Sequence, residues 1–180
     1  MVAKDDYIIV LDFLPHGKPN DRRAEPVVQG IGDKYFNLLE VAIKDGVSVK
    51  AKDRIYVGED KRDQVKYIRT RIRYSELTNY AKNMVEEIIA EIISKDEKRF
   101  VDFFNKSGPV TTRMHTLELL PGIGKKHMWE ILSVRKSKHF ETFKELQERV
   151  PMLPDPKKMI IRRVIEELEE KDRYRLFVAT

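Results

Sequence analysis

Leu119-Leu120-Pro121-Gly122-Ile123-Gly124-Lys125-Lys126 is the stretch on which the organisation of the chain turns. Pro121 has no N–H and restricts the residue before it, so a helix entering from the amino-terminal side stops there. Gly122 and Gly124 allow backbone angles and close approaches that a Cβ forbids. Upstream, residues 112–119 read as a short helix with Leu117 and Leu120 available to a core. Downstream, residues 125–134 read as a second, with Met128, Ile131 and Leu132 at helical spacing. The first turn of that second helix carries amides with no intrahelical partner and the positive end of the helix dipole, both of which favour an anion. Lys125 and Lys126 add mobile positive charge beside them. A turn so built is suited to holding a phosphate.

Leu-Pro-Gly-Ile-Gly-Lys-Lys between two short helices resembles the helix-hairpin-helix motif, which binds the sugar-phosphate backbone of DNA or RNA without reading sequence. The resemblance makes Ile123 the apolar anchor and implies nucleic-acid contact at Gly122, Ile123, Gly124, Lys125 and Lys126. The alternative is a hairpin that only packs helices or contacts a protein. A single hairpin buries too little surface to stand alone, and the next segment offers a partner. Residues 140–150 can form a helix with Phe140, Phe143, Leu146 and Val150 on one side, and residues 157–170 another with Ile160, Ile161, Val164, Ile165 and Leu168. This resembles the degenerate second copy of a tandem helix-hairpin-helix domain. Pro-Met-Leu-Pro-Asp-Pro replaces its Gly-X-Gly turn, so the second copy is given a structural role and Lys157 and Lys158 at most an auxiliary phosphate contact.

The amino-terminal half reads as five strands, at 7–14, 26–31, 35–43, 54–57 and 65–73, rich in β-branched and aromatic residues and separated by turn residues. A small closed or half-closed barrel is the economical way for so few strands to bury a core. Residues 15–25 read as a mobile loop. In the last strand, strict alternation places Tyr67, Arg69, Arg71 and Arg73 on one face and Ile68 and Ile72 on the other. Arginines with an interleaved tyrosine suit backbone neutralisation and base stacking; a solvated face, or salt bridges to the acidic stretch 86–91, is the competing explanation. Residues 74–105 read as helical, with a stripe of Met84, Val85, Ile88, Ile89, Ile92 and Ile93 and then Phe100, Val101, Phe103 and Phe104, before a break at Ser107-Gly108-Pro109.

With 180 residues, 41% hydrophobic and 36% charged, the chain can hold one sizeable core or two small ones, and the pattern above favours two. A net charge of +5 suits a polyanionic partner without requiring one. The absence of cysteine excludes disulfides, cysteine zinc sites and thiol nucleophiles, and the four histidines show no metal-ligand spacing. Asp5, Asp6, Asp12 and His16 match no metal-nuclease pattern, and no Walker-type loop is present. Catalysis is therefore not expected, and neither a cofactor nor a metal is. Apolar runs are short and interrupted by charge, so a cytoplasmic protein with no membrane partner is expected.

Asp53-Arg54-Ile55-Tyr56-Val57-Gly58, Tyr74-Ser75-Glu76-Leu77-Thr78 and the hairpin together resemble a family of uncharacterised archaeal proteins labelled nucleotide-binding, which join an OB-like β domain to a helix-hairpin-helix domain. The resemblance implies an α+β fold of two domains, a small OB-like β-barrel followed by an all-α tandem helix-hairpin-helix (SAM-like) domain. The expected division is a barrel over 1–75, bridging helices over 76–106 and the helical domain over 107–180. Family members are encoded beside translation and transcription genes, which favours RNA over DNA and allows ribosomal or transcription-associated protein partners. The expected function is non-catalytic, non-sequence-specific binding of phosphate backbone through the hairpin and the basic strand. The alternatives are a nucleic-acid-modifying or repair enzyme, or a protein-docking assembly factor.

Overall fold

Alternating β-branched residues form strands where the sequence predicts them, in a computed structural model that describes residues 3–179. The strands are β1 (Tyr7–Leu14), β2 (Val27–Gly32), β3 (Leu38–Ile43), β4 (Arg54–Tyr56) and β5 (Val65–Arg71). They make one antiparallel five-stranded sheet in the order β4-β1-β2-β3-β5. Ile8, Val10, Val28, Val41, Ile43, Val49, Ile55, Val57 and Val65 are its buried core. Five α-helices follow, α1 (Asn79–Lys95), α2 (Glu97–Lys106), α3 (Lys125–Ser137), α4 (Phe143–Arg149) and α5 (Pro156–Leu168).

The expected fold class, a small OB-like barrel followed by a separate tandem helix-hairpin-helix domain, is corrected by this arrangement. The sheet is a curled half-barrel whose edges, β4 and β5, do not pair with each other. Closure needs two edge strands long and regular enough to form a ladder. Here β4 has three residues, and β5 shifts register twice against β3, at Lys66 and at Arg69. Each shift leaves one residue unpaired and bends the strand.

Nor does the chain end in a purely helical domain. By its internal contacts it divides into one unit of Met1–Ile88 with Val164–Thr180 and another of Ile89–Arg163. The sheet unit is thus discontinuous in sequence. Its carboxy-terminal part is held by Glu167, a fully buried carboxylate that accepts hydrogen bonds from the amides of Leu176, Phe177 (3.1 Å) and Val178 (2.8 Å). The Ala179 amide then donates to the Tyr35 carbonyl at 3.0 Å, and Val178 is buried.

Asp5 closes the β2–β3 turn from the other side. It accepts from the amides of Lys34 (2.9 Å), Tyr35 (2.7 Å) and Asn37 (3.2 Å) and from Asn37 Nδ2 (2.7 Å). A Cβ on Gly32 would sit 1.9 Å from this carboxyl, so the glycine is required by close approach.

Removing the Glu167 carboxylate leaves three amides without their acceptor, that of Val178 buried and those of Leu176 and Phe177 half-buried. Glu167→Ala is expected to cost about 2–4 kcal/mol of stability, read as a lower urea midpoint with the m-value unchanged. Glu167→Gln should lose less, because its amide oxygen still accepts.

Candidate nucleic-acid interface

In the helical unit, the first arm of the predicted hairpin is shorter than expected. Only Thr116–Leu119 is helical, as a single 3-10 turn. Residues before it form a bridge between Pro109 and His115, and Thr116 donates through both its amide (3.0 Å) and its hydroxyl (2.7 Å) to the Gly108 carbonyl. His115 caps the turn. Its Nδ1 accepts from the Leu117 amide at 3.1 Å, while Glu118 reaches back to accept from the His115 amide at 2.8 Å. The buried Arg163 pins the arm's end by donating to the Leu119 carbonyl at 3.2 Å.

The turn itself has the predicted form. Leu117, Leu120 and Ile123 are buried, and the Ile123 amide donates to the Leu120 carbonyl at 3.2 Å. Gly122 has φ +99°, which disfavours any side chain, and a Cβ there would also meet Met159 Sδ at 3.3 Å. Gly124 is the N-cap of α3, and a Cβ on it would point into open space. The amides of Gly122, Gly124, Lys125 and Lys126 have no partner among the described residues. At α2 the cap residue Asp96 likewise makes no side-chain capping hydrogen bond, but the starts of α1, α4 and α5 differ. Thr142 Oγ1 accepts from the Glu145 amide at 3.0 Å at the start of α4, and Asp155 Oδ1 accepts from the Lys157 amide at 3.0 Å and the Lys158 amide at 3.3 Å at the start of α5. At α5 the protein's own carboxylate occupies the anion position, with Pro156 at the first helical position. At α3 the cap carries no side chain at all.

Lys125 and Lys126 are exposed. Lys125 Nζ lies 4.0 Å from Glu118, a long contact with a carboxylate already engaged in capping, and no ion pair holds Lys126 among the described residues. One turn further along α3 stands a residue that sequence reasoning missed. Trp129 is 64% exposed, whereas Met128 and Ile131, about 100° and 160° round the helix from it, are buried. The signal was present, because Trp129 lies four residues from Lys125 and off the Met128/Ile131 stripe.

The basic strand, in the sheet unit, is arranged otherwise than strict alternation suggests. Arg69 is held at 2.9 Å by Asp21, with Glu40 at 3.5 Å and Glu25 at 3.9 Å. The Arg69 hydrogen bond keeps the Asp21 carboxyl below its ordinary value, and the same bond raises the guanidinium. The Tyr67 hydroxyl donates to Glu25, which raises the phenol. Asp21 and Glu25 belong to the 15–25 segment, which ion pairs therefore hold against β5. Arg71 is exposed and donates to the Ala179 carbonyl. Arg73 is exposed, and no ion pair engages it among the described residues. Ile68, expected inside with Ile72, is 37% exposed: burial alternates from Val65 through Arg69 with Ile68 on the outer side, and the register shift at Arg69 lies between it and the buried Ile72. A cleft of 670 Å³ lies between the two free edges, lined by Tyr56 of β4 and by Ile68 and Arg71 of β5.

Among known proteins, residues 4–179 match the model of a family described as "Protein of unknown function (DUF655)". The chain is 44% identical over 176 residues to the uncharacterised protein MJ0038 of Methanocaldococcus jannaschii, covering 97% of this chain and 80% of that relative. It is 46% identical to Af1531 from Archaeoglobus fulgidus, whose crystal structure matches with a TM-score of 0.87 and coverage of 96% of this chain and 99% of that one. The archaeal relationship read from the sequence thus holds at the level of the family. No helix among the described residues is long and apolar enough to cross a membrane.

The His115 cap carries a pH dependence. Burial, with Arg135 nearby, lowers the imidazole below its ordinary value of 6.5, and Nδ1 must be unprotonated to accept from Leu117. A base whose folded value is depressed stabilises the fold above its unfolded value and loses that contribution as pH falls. Exchange protection of the Leu117 amide is therefore expected to be intact above pH 6.5 and to decline below it. In His115→Asn, whose side-chain oxygen also caps, that decline should be absent.

Proposed function

The chain belongs to the DUF655 family, and from the geometry of its α3 turn we propose that it is a non-catalytic protein that binds the phosphate backbone of nucleic acid without reading sequence. The observation that carries this reading is the open N-terminus of α3. The amides of Gly122, Gly124, Lys125 and Lys126 are unpartnered among the described residues, the cap has no side chain, and two exposed lysines stand beside it. Such amides and the helix dipole bind a phosphate oxygen, and the lysines supply the charge that displaces counterions. Ile123 and the positive φ of Gly122 hold the turn in this form before any ligand arrives, so little ordering cost falls on binding.

The basic strand contributes less than its composition suggests. Arg69 is already neutralised by Asp21, and a phosphate would have to displace that carboxylate. Arg73, exposed and outside any ion pair among the described residues, is the arginine of that row best placed to meet a phosphate. RNA is favoured over DNA on the family resemblance alone.

Fluorescence anisotropy with labelled RNA and DNA across a salt series tests the reading. Wild type should bind all base sequences similarly, with affinity falling steeply in salt. Lys125→Glu/Lys126→Glu should weaken binding at least about tenfold and reduce the magnitude of the log–log salt slope by roughly 1.4–1.8, as two phosphate contacts are lost. Unchanged affinity in the folded double variant would refute it.

A further inference from the structure

Trp129 is the only tryptophan of the chain, and it stands 64% exposed in the middle of α3. An isolated exposed apolar residue is ordinary on a protein surface, so its surroundings decide what it means. At about 100° per residue, Lys125, Trp129, Ser133 and Lys136 fall within an arc of roughly 80°, and Lys126 lies about 60° from the tryptophan. All of these residues are exposed. Glu130 is the one acidic residue of α3, and it points about 100° away from Trp129. The indole therefore has Lys125 about 6 Å before it along the helix axis and Lys136 about 10 Å beyond it.

A protein partner that buried Trp129 as an anchor would be met by apolar neighbours around it. The exposed neighbours are instead lysine, serine and lysine, the one apolar neighbour, Leu132 at i+3, is half-buried, and no ion pair holds Lys126 or Lys136 among the described residues. A flat apolar ring between cations matches a polymer that carries a flat apolar base between phosphates.

Resting on the reading that the α3 turn grips phosphate, we infer that this face is a stacking platform and that the ligand is single-stranded nucleic acid. In a duplex each base is already covered by its neighbours and offers only its edge, whereas an unpaired base presents its face to an indole. The phosphate at the Gly122–Lys126 turn sets the position of the strand, and the base beside it lies on Trp129.

The sole tryptophan also reports on itself. The full chain would be titrated with a single-stranded RNA oligonucleotide, its DNA counterpart and a duplex of the same sequence, following intrinsic fluorescence, with anisotropy run in parallel on wild type, Trp129→Ala and Trp129→Phe. Saturable quenching by single strands is expected. Trp129→Ala should lose about 5- to 150-fold in single-strand affinity at an unchanged salt slope, with Trp129→Phe retaining most of it. Duplex binding should be weaker and indifferent to both substitutions. If Lys125→Glu/Lys126→Glu abolishes binding while Trp129→Ala costs nothing, or if duplex binds more tightly, the platform is refuted and the phosphate turn stands. If wild type binds neither polymer and its fluorescence is unmoved, both readings fall, and Trp129 is left to a protein partner.

Discussion

Glu40 is a carboxylate buried to 2% exposure in the central strands of the sheet, and a charge in that position must be paired. Three groups meet the requirement: Lys18 at 2.9 Å, Gln29 Nε2 at 3.2 Å and Arg69 at 3.5 Å. Each answer fixes a different element. Lys18 and the Asp21 that shares Arg69 bring the 15–25 segment onto β5. Gln29 passes the constraint on, donating to the Glu76 carbonyl and accepting from the Thr78 amide, so that the residues entering α1 are set by the same cluster. Thr78 then bonds Asp12 at 2.6 Å and caps α1 through the Ala81 amide. A half-barrel with free edges has less ladder to define it than a closed one, and this polar chain supplies the missing definition from within.

The same logic of partnered and unpartnered groups separates the two turns of the helical unit. At α5, Asp155 satisfies the amides and the helix end is chemically finished. At α3, glycine leaves it unfinished. The fold provides side-chain caps for α1, α4 and α5, leaves α2 without one at Asp96, and sets its most exposed aromatic ring next to the open turn of α3.

How much of this could be read beforehand follows from the range of each interaction. Strand and helix positions were legible because period-two and helical patterns are local, and the glycine turn was legible because positive φ is a property of one residue. Closure of the barrel was not, since it depends on whether two distant edges can pair, and the register shifts of β5 leave no mark in composition. The pairing of Arg69 was not legible for the same reason: the carboxylates that claim it come from positions 21, 25 and 40. Asp5, to which the sequence assigned no role beyond matching no metal-nuclease pattern, is a buried acceptor for a turn some thirty positions later. Residues 171–179 carry no periodic signal, so nothing in them announces a return to the sheet.

That return bears on how the molecule is made. The β2–β3 turn is completed by a hydrogen bond from Ala179 to Tyr35, and the tail that delivers it is tied by Glu167. A chain leaving the ribosome exposes its sheet residues long before these partners exist, with the whole of Ile89–Arg163 synthesised in between. The helical unit is contiguous and can fold as it emerges; the sheet unit is completed, its free edges open to other chains until then, only when the tail beyond α5 is out. The order of synthesis therefore runs against the order of completion, and the part made first is the part finished last.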